Sequence, residues 1–302
     1  MNRYGKEFID ICKKYSDFQY FYEKELDFGT VLEFRAPADM YNNCVKIARE
    51  KARYTMDYSQ SLVLRPPEEK EIKQFKGILA ETAIQLYLVQ KCRIPFHQVH
   101  RWDLERDTFQ SASNEYDLKI TAANGENTNG KIANGENTNG KITNGEIANG
   151  EIANREIANR EVTNRKIANR EITIESRASD SYKTSLDSFV RQYDIIGKYS
   201  NSRKTNEKKA DVYMRPVYQF TSCMNKTEHK SKLYETYKMI QSRELQLYLV
   251  SGATKEEMYG ERSYTKNMDQ GSTIYRCLKI MDAGDMKRIS EIISRRFVQL
   301  DG

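Results

Sequence analysis

Ile172-Thr173-Ile174-Glu175-Ser176-Arg177-Ala178-Ser179 alternates apolar and polar residues, as does Glu115-Tyr116-Asp117-Leu118-Lys119-Ile120 upstream. Both stretches read as short β-strands, rich in β-branched side chains. Residues two apart on a strand share a face, so Glu175 and Arg177 project together, away from Ile174. If the strands are neighbours, Asp117 joins them, and two carboxylates and one cation meet in a small area. Carboxylates gathered this way repel unless a cation lies between them, and Mg²⁺ takes such oxygen ligands together with phosphate. The group therefore suits metal-assisted phosphodiester hydrolysis, or else it is a surface ion pair on a hairpin.

Between the two strands, residues 123–172 form ten tandem pentads, from Ala-Asn-Gly-Glu-Asn to Ala-Asn-Arg-Glu-Ile. A period of five sends successive Ile residues to alternate faces of a strand and makes no stripe on a helix. The unit is faintly similar to the pentapeptide-repeat β-solenoid, but Gly or Arg stands where that pattern needs an inward Leu. The array reads as a low-complexity insertion. Without it, Asp117-Leu118-Lys119-Ile120 runs almost directly into Ile174-Glu175-Ser176-Arg177. Asn-Gly is the strongest two-residue hairpin signal, so the array reads as a duplicated turn whose flanking strands still pair.

Upstream, residues 1–65 read as mainly helical. Phe8, Ile11, Cys12, Tyr15, Phe18 and Tyr22 recur at helical spacing over Glu7–Tyr22. Asp39 is placed to cap a second helix reaching Tyr54, whose Lys46, Arg49, Lys51 and Arg53 read as a solvated or phosphate-facing side. Pro66-Pro67 opens a strong helix over Glu68–Cys92, with acidic residues in its first turn. Its stripe is Phe75, Ile78, Leu79, Thr82, Ala83, Leu86 and Tyr87, and Glu81 neighbours that stripe. Phe96–Trp102 alternates like a strand, which puts His97 and His100 on opposite faces and argues against a metal pair. A polar turn over Ser111–Asn114 leads to the Asp117 strand.

After the array, Ser185–Ile196 reads as a helix and Lys198–Lys209 as a basic loop. Ala210–Phe220 reads as a buried strand, Lys230–Arg243 as a helix, Leu245–Val250 and Thr273–Ile280 as strands, and Asp285–Phe297 as a last amphipathic helix. In the loop and the start of the following strand, Lys198, Arg203, Lys204, Lys208, Lys209 and Arg215 outnumber Glu207 and Asp211. They are candidates for phosphate contact, weighed against a solvated surface.

The 302 residues carry a net charge of +6, which permits a polyanionic partner without requiring one. Five scattered Cys, an odd number with no Cys-x-x-Cys pair, point to a reducing compartment and away from a zinc site or a disulfide framework. With no long apolar run, the expectation is a soluble cytoplasmic protein.

The order helix with Glu81, strand, strand with Asp117, strand with Glu175-x-Arg177, helix, strand resembles the core of the PD-(D/E)XK nuclease superfamily. It is most similar to a type II restriction endonuclease. The resemblance spans roughly residues 70–220. It implies a restriction-endonuclease-like α/β core over 66–302, a mixed sheet flanked by helices, after a helical N-terminal region at 1–65 and interrupted by the array at 123–172. It further implies a Mg²⁺-dependent endonuclease for double-stranded DNA, with Glu81, Asp117 and Glu175 at the metal and Arg177 in the place of the family lysine. Arg stays charged, so Arg177 would stabilise the phosphorane without serving as base. A second registration makes Asp117-x-Lys119 the motif, with Asp103 or Asp107 as first Asp, and holds Lys119 in reserve. Cutting both strands implies a homodimer. The alternatives are a nuclease of DNA repair or recombination, or a DNA-binding relative without catalysis.

Overall fold

The computed structural model describes residues 1–55, 64, 66–106, 108, 109, 116–122, 171–182, 185–201, 208–221, 233–268 and 273–301. In chain order, α1 (Arg3–Lys14) is followed by the hairpin β1 (Phe21–Leu26) and β2 (Gly29–Phe34), then α2 (Ala38–Ala52) and α3 (Pro67–Gln90). Next come β3 (Val99–Arg101), α4 (Trp102–Glu105), β4 (Leu118–Thr121), β5 (Glu171–Ser176) and β6 (Ser179–Ser181). The chain continues through α5 (Leu186–Gln192), β7 (Asp194–Asn201), β8 (Val212–Phe220), α6 (Leu233–Gln241) and β9 (Leu245–Thr254). It closes with α7 (Lys255–Met258), β10 (Tyr264–Met268), β11 (Thr273–Lys279) and α8 (Met286–Asp301).

This is a mixed α/β fold. An eight-stranded sheet runs β1-β2-β9-β8-β5-β4-β3, with β6 also on β8, and a three-stranded sheet runs β10-β11-β7. β3, β4 and β5 are successively antiparallel, whereas β5 and β8 are parallel. Every residue of β8 is buried, as a strand covered on both faces requires. Its Val212, Met214, Tyr218 and Phe220 join the larger core under α3, and Tyr213 and Val217 join a second core with Phe189 and Val190 of α5.

α3 starts as the sequence predicts, with Pro67 in its first turn and Glu68 and Glu69 following. All seven residues of the expected stripe are buried, but so is every other position from Phe75 to Leu88 except Gly77. The helix is enclosed rather than amphipathic through this stretch. The β4–β5 pairing holds across the array, with Leu118 opposite Ile174 and Ile120 opposite Ile172. Glu171 and Ile172 belong to β5; the rest of the array, the Ser111–Asn114 turn and Asp107 lie outside the described residues.

Several local expectations are corrected. The first helix stops at Lys14, and Phe21–Phe34 is a hairpin instead of helix, placed on the sheet by β2–β9 pairing. Its turn needs Gly29, which has φ +138° and lies where a Cβ would meet the Asp285 carboxylate at 2.6 Å. The N-cap of α2 is Pro37, not Asp39, and Asp39 pairs with Lys14 instead. The helix expected to reach Ile196 ends at Gln192, because Asp194–Asn201 is drawn into pairing with β11. Lys198 thus lies on a strand rather than in a loop.

Candidate functional site

Continuing the β4–β5 register by one residue sets Asp117 opposite Glu175. The chain bends at Asp117, and its Oδ2 accepts the N–H of Ser176 at 2.7 Å. That bond ties the first carboxylate to the residue lying between Glu175 and Arg177. Arg177 Nη2 pairs with Glu175 Oε1 at 2.8 Å, so the two share a face as strand alternation demands. Glu175 stands beside Tyr213 of the parallel neighbour β8.

Glu81 lies on the second turn of the enclosed part of α3 and is only 9% exposed. Burial pushes its carboxyl well above the ordinary range, and the Asp103 carboxylate pushes it further. Lys51 opposes this, Asp117 adds to it and Arg101 opposes it. Asp117 is likewise raised by burial, with the Ser176 N–H and the Arg177 charge pulling the other way. The structure therefore gathers Glu81, Asp103 and Asp117 into one electrostatic neighbourhood, with Glu175 and Arg177 joined to it through Ser176.

Three cations, Lys51, Arg106 and Arg101, lie in this neighbourhood. Asp103, 4% exposed, pairs with Lys51 through one oxygen and with Arg106 at 2.7 Å through the other. Burial works against the Lys51 charge, but Glu81 and Asp103 outweigh it and raise its pKa. Arg101 is 1% exposed and donates to Thr82 Oγ1, while its guanidinium faces the Phe8 ring at 5.0 Å.

Lys51 was read among a solvated or phosphate-facing side of α2 and instead turns inward. The signal was available: Met40, Cys44 and Ile47 are buried at helical spacing, and Lys51 continues that series. Lys119 of the second registration lies elsewhere, pairing with Glu171 at 3.2 Å. It lines a cleft of about 430 Å³ with His100, Arg101 and Glu105. His100 bridges Glu105 and Thr121, which gives it a structural part.

Of the basic segment, Lys208 and Lys209 are exposed, with ammonium groups over the Tyr116 and Tyr259 rings at 5.8 and 4.2 Å. Arg203 and Lys204 lie outside the described residues, as does Glu207. Arg215 is fully enclosed, 3% exposed. Among the described residues, no group of three or more His, Cys, Asp or Glu side chains is arranged to hold a metal ion, and no helix is long and apolar enough to cross a membrane.

As donors, Asp117 and Glu175 suit Mg²⁺. Both are hard oxygen ligands, and this ion takes one or two carboxylates from a protein and completes its shell with water and phosphate. Set against protein-family models, curated proteins and solved structures, the chain matches none of them.

Proposed function

We propose that this chain is a Mg²⁺-dependent endonuclease for double-stranded DNA, of the PD-(D/E)XK kind and with the role of a type II restriction enzyme. The observation that carries the reading is the Asp117–Ser176 bond, which brings an Asp from one strand onto the Glu-x-Arg of its antiparallel neighbour. Support also comes from the connectivity. An acidic helix, α3, precedes an antiparallel trio, β3-β4-β5, whose last strand pairs in parallel with β8 after an intervening helix. That is the order the resemblance expects.

In this reading Asp117 and Glu175 would hold the ion, with Glu81 as the third candidate ligand. When bound, the ion polarises the scissile phosphate and lowers the pKa of a water. The chain's own part is orientation and charge. The Ser176 N–H fixes the Asp117 carboxylate, and Arg177 offers a permanent cation to the phosphorane while holding no proton it can give up. Lys208 and Lys209, both exposed, would contact backbone phosphates, and a homodimer would supply the second site that double-strand cutting needs.

Digestion of a mixed-sequence plasmid with Mg²⁺, followed by end mapping, tests the reading. Asp117→Ala and Glu175→Ala should each abolish cleavage while leaving duplex binding largely intact, since affinity comes mainly from phosphate contacts elsewhere. Full activity in Glu175→Ala sinks the assignment. Discrete ends at one short sequence mark a restriction enzyme, and ends at a DNA structure mark a repair or recombination enzyme. A second reading, a DNA-binding relative that does not cleave, is favoured by the Glu175–Arg177 pair, which commits one of the carboxylate's oxygens to a fixed cation. Binding without metal-dependent nicking would select it.

A further inference from the structure

β5 and β6 would be one strand but for Arg177 and Ala178. Both pair in parallel with β8, through Ile174–Ser176 below the break and Ser179–Ser181 above it. The break falls beside Arg215 and Pro216 of β8, where the β8–β9 register slips by one residue. Pro216 has no N–H for the ladder, and such irregularities re-aim neighbouring side chains. A cleft of about 450 Å³ opens here, lined by Lys73, Lys76 and Gly77 of α3, by Arg177 and Asp180, and by Arg215.

Arg215 is the anomaly in this cleft. Its Nη1 donates to the Arg177 carbonyl at 2.6 Å, but its Nε has no hydrogen-bond partner among the described residues. It forms no ion pair among the described residues. Burial lowers it to about 10, with Asp194 the main opposing charge. Asp194 is already committed to the Tyr264 hydroxyl at 2.6 Å and Lys266 at 3.1 Å. Asp180, the acid in the cleft, is committed to Lys76 at 2.7 Å. Buried cations ordinarily find their counter-ion inside the fold. Arg215 instead borders an opening that Lys73, Lys76 and Arg177 also line.

We propose that this cleft seats a backbone phosphate of the nucleic-acid strand, next to the phosphate held at Asp117 and Glu175, with Arg215 as its floor and Lys73 and Lys76 on its wall. The assignment rests on the nuclease reading, and Arg177 joins the two places because it pairs with Glu175 and borders the cleft. Gly77 fits the same picture: a Cβ there meets nothing within 4 Å, so α3 leaves the space beside it clear.

The test is anisotropy of a fluorescent mixed-sequence DNA duplex titrated with the full chain in EDTA, where nothing is cleaved. Gly77→Trp fills the cleft from a helix position that tolerates a side chain, and Lys73→Glu reverses an exposed wall charge that pairs with Glu69; neither touches the core. Each should weaken binding tenfold or more, and Lys73→Glu should reduce the slope of log K against log salt by about 1. Lys6→Glu, the same charge change on α1, should move affinity less than twofold. Inorganic phosphate matched to the duplex phosphate concentration should leave the duplex bound. Wild-type affinity in both cleft variants, equal weakening by Lys6→Glu, or displacement by inorganic phosphate each overturns the proposal. If the wild type cleaves DNA while both variants bind normally, the cleft assignment falls and the nuclease stands. A chain that binds no duplex takes both down.

Discussion

Two regions of this molecule bury charge, and they balance it in opposite ways. Around Glu81 the fold supplies its own cations: Lys51 and Arg106 hold both oxygens of Asp103, and Arg101 lies close to Glu81. Around Arg215 the described acids are shared: Asp194, whose charge favours the Arg215 guanidinium, pairs with Lys266, and Asp180 pairs with Lys76. The first region is compensated from within. The second holds a cation that makes no ion pair of its own among the described residues. Burial alone therefore says little about function; what matters is whether the counter-charge is already present.

The strongest way to probe the contrast is at Arg177, which touches both regions. Arg177→Ala should lower cleavage about 100-fold, the scale of one transition-state donor, and Arg177→Lys should keep or raise it. Rates on a plasmid substrate decide, with Lys119→Ala beside them. A dead Lys119→Ala and an unimpaired Arg177→Ala would move the motif to Asp117-x-Lys119.

Stability should separate the two regions next. Lys51→Ala strips one of the two cations from Asp103. It should cost about 2–3 kcal/mol, less than the ~3–5 of a fully buried pair, because Arg106 remains and Lys51 is partly solvated. Arg215→Met, which removes a buried charge that makes no ion pair among the described residues, should be neutral or stabilising in the same urea titration. An equal loss in both variants would erase the distinction.

Glu81 offers a pH signature. Its folded pKa lies above the ordinary 4.5, so folding is penalised once the pH is high enough for the unfolded chain to ionise this group. Glu81→Gln should raise the melting temperature at pH 7, and the gain should vanish at pH 4, where the carboxyl is protonated in both states. A gain independent of pH would assign the effect to packing instead.

The smallest effect is expected at the pentads. Replacing residues 123–170 with Asn-Gly should leave the fold and activity intact, since the β4–β5 contacts at Leu118–Ile174 and Ile120–Ile172 lie outside the deleted segment. Circular dichroism and plasmid cleavage would check it. Loss of either would give the array a structural part.

The strands around the candidate site were legible because their signals are local. Alternation placed Glu175 and Arg177 on one face, and their 2.8 Å pair agrees. The pairing of Asp117's strand with Glu175's strand across the array was also readable, from turn chemistry at its ends. The β1–β2 hairpin was not. Glu23, Lys24 and Glu25 are exposed on an edge strand, so no two-residue alternation marks it. β7 was hidden too, since Asp194-Ile195-Ile196 continues a helical pattern until β11 claims it.

By itself, then, the sequence determined α3 through its prolines and apolar spacing, the two strands through their alternation, and the shared face of Glu175 and Arg177. Only the tertiary structure decided that β8 lies parallel to β5, that Lys51 turns in toward Asp103, and that Arg215 borders a cleft with no ion pair among the described residues. Periodicity and turn chemistry act between residues a few positions apart, so they can be read along the chain. The balance of buried charge is set by side chains from distant elements, as Lys51 on α2 and Asp103 after β3 illustrate, and it exists only once packing has excluded the water that would otherwise screen them.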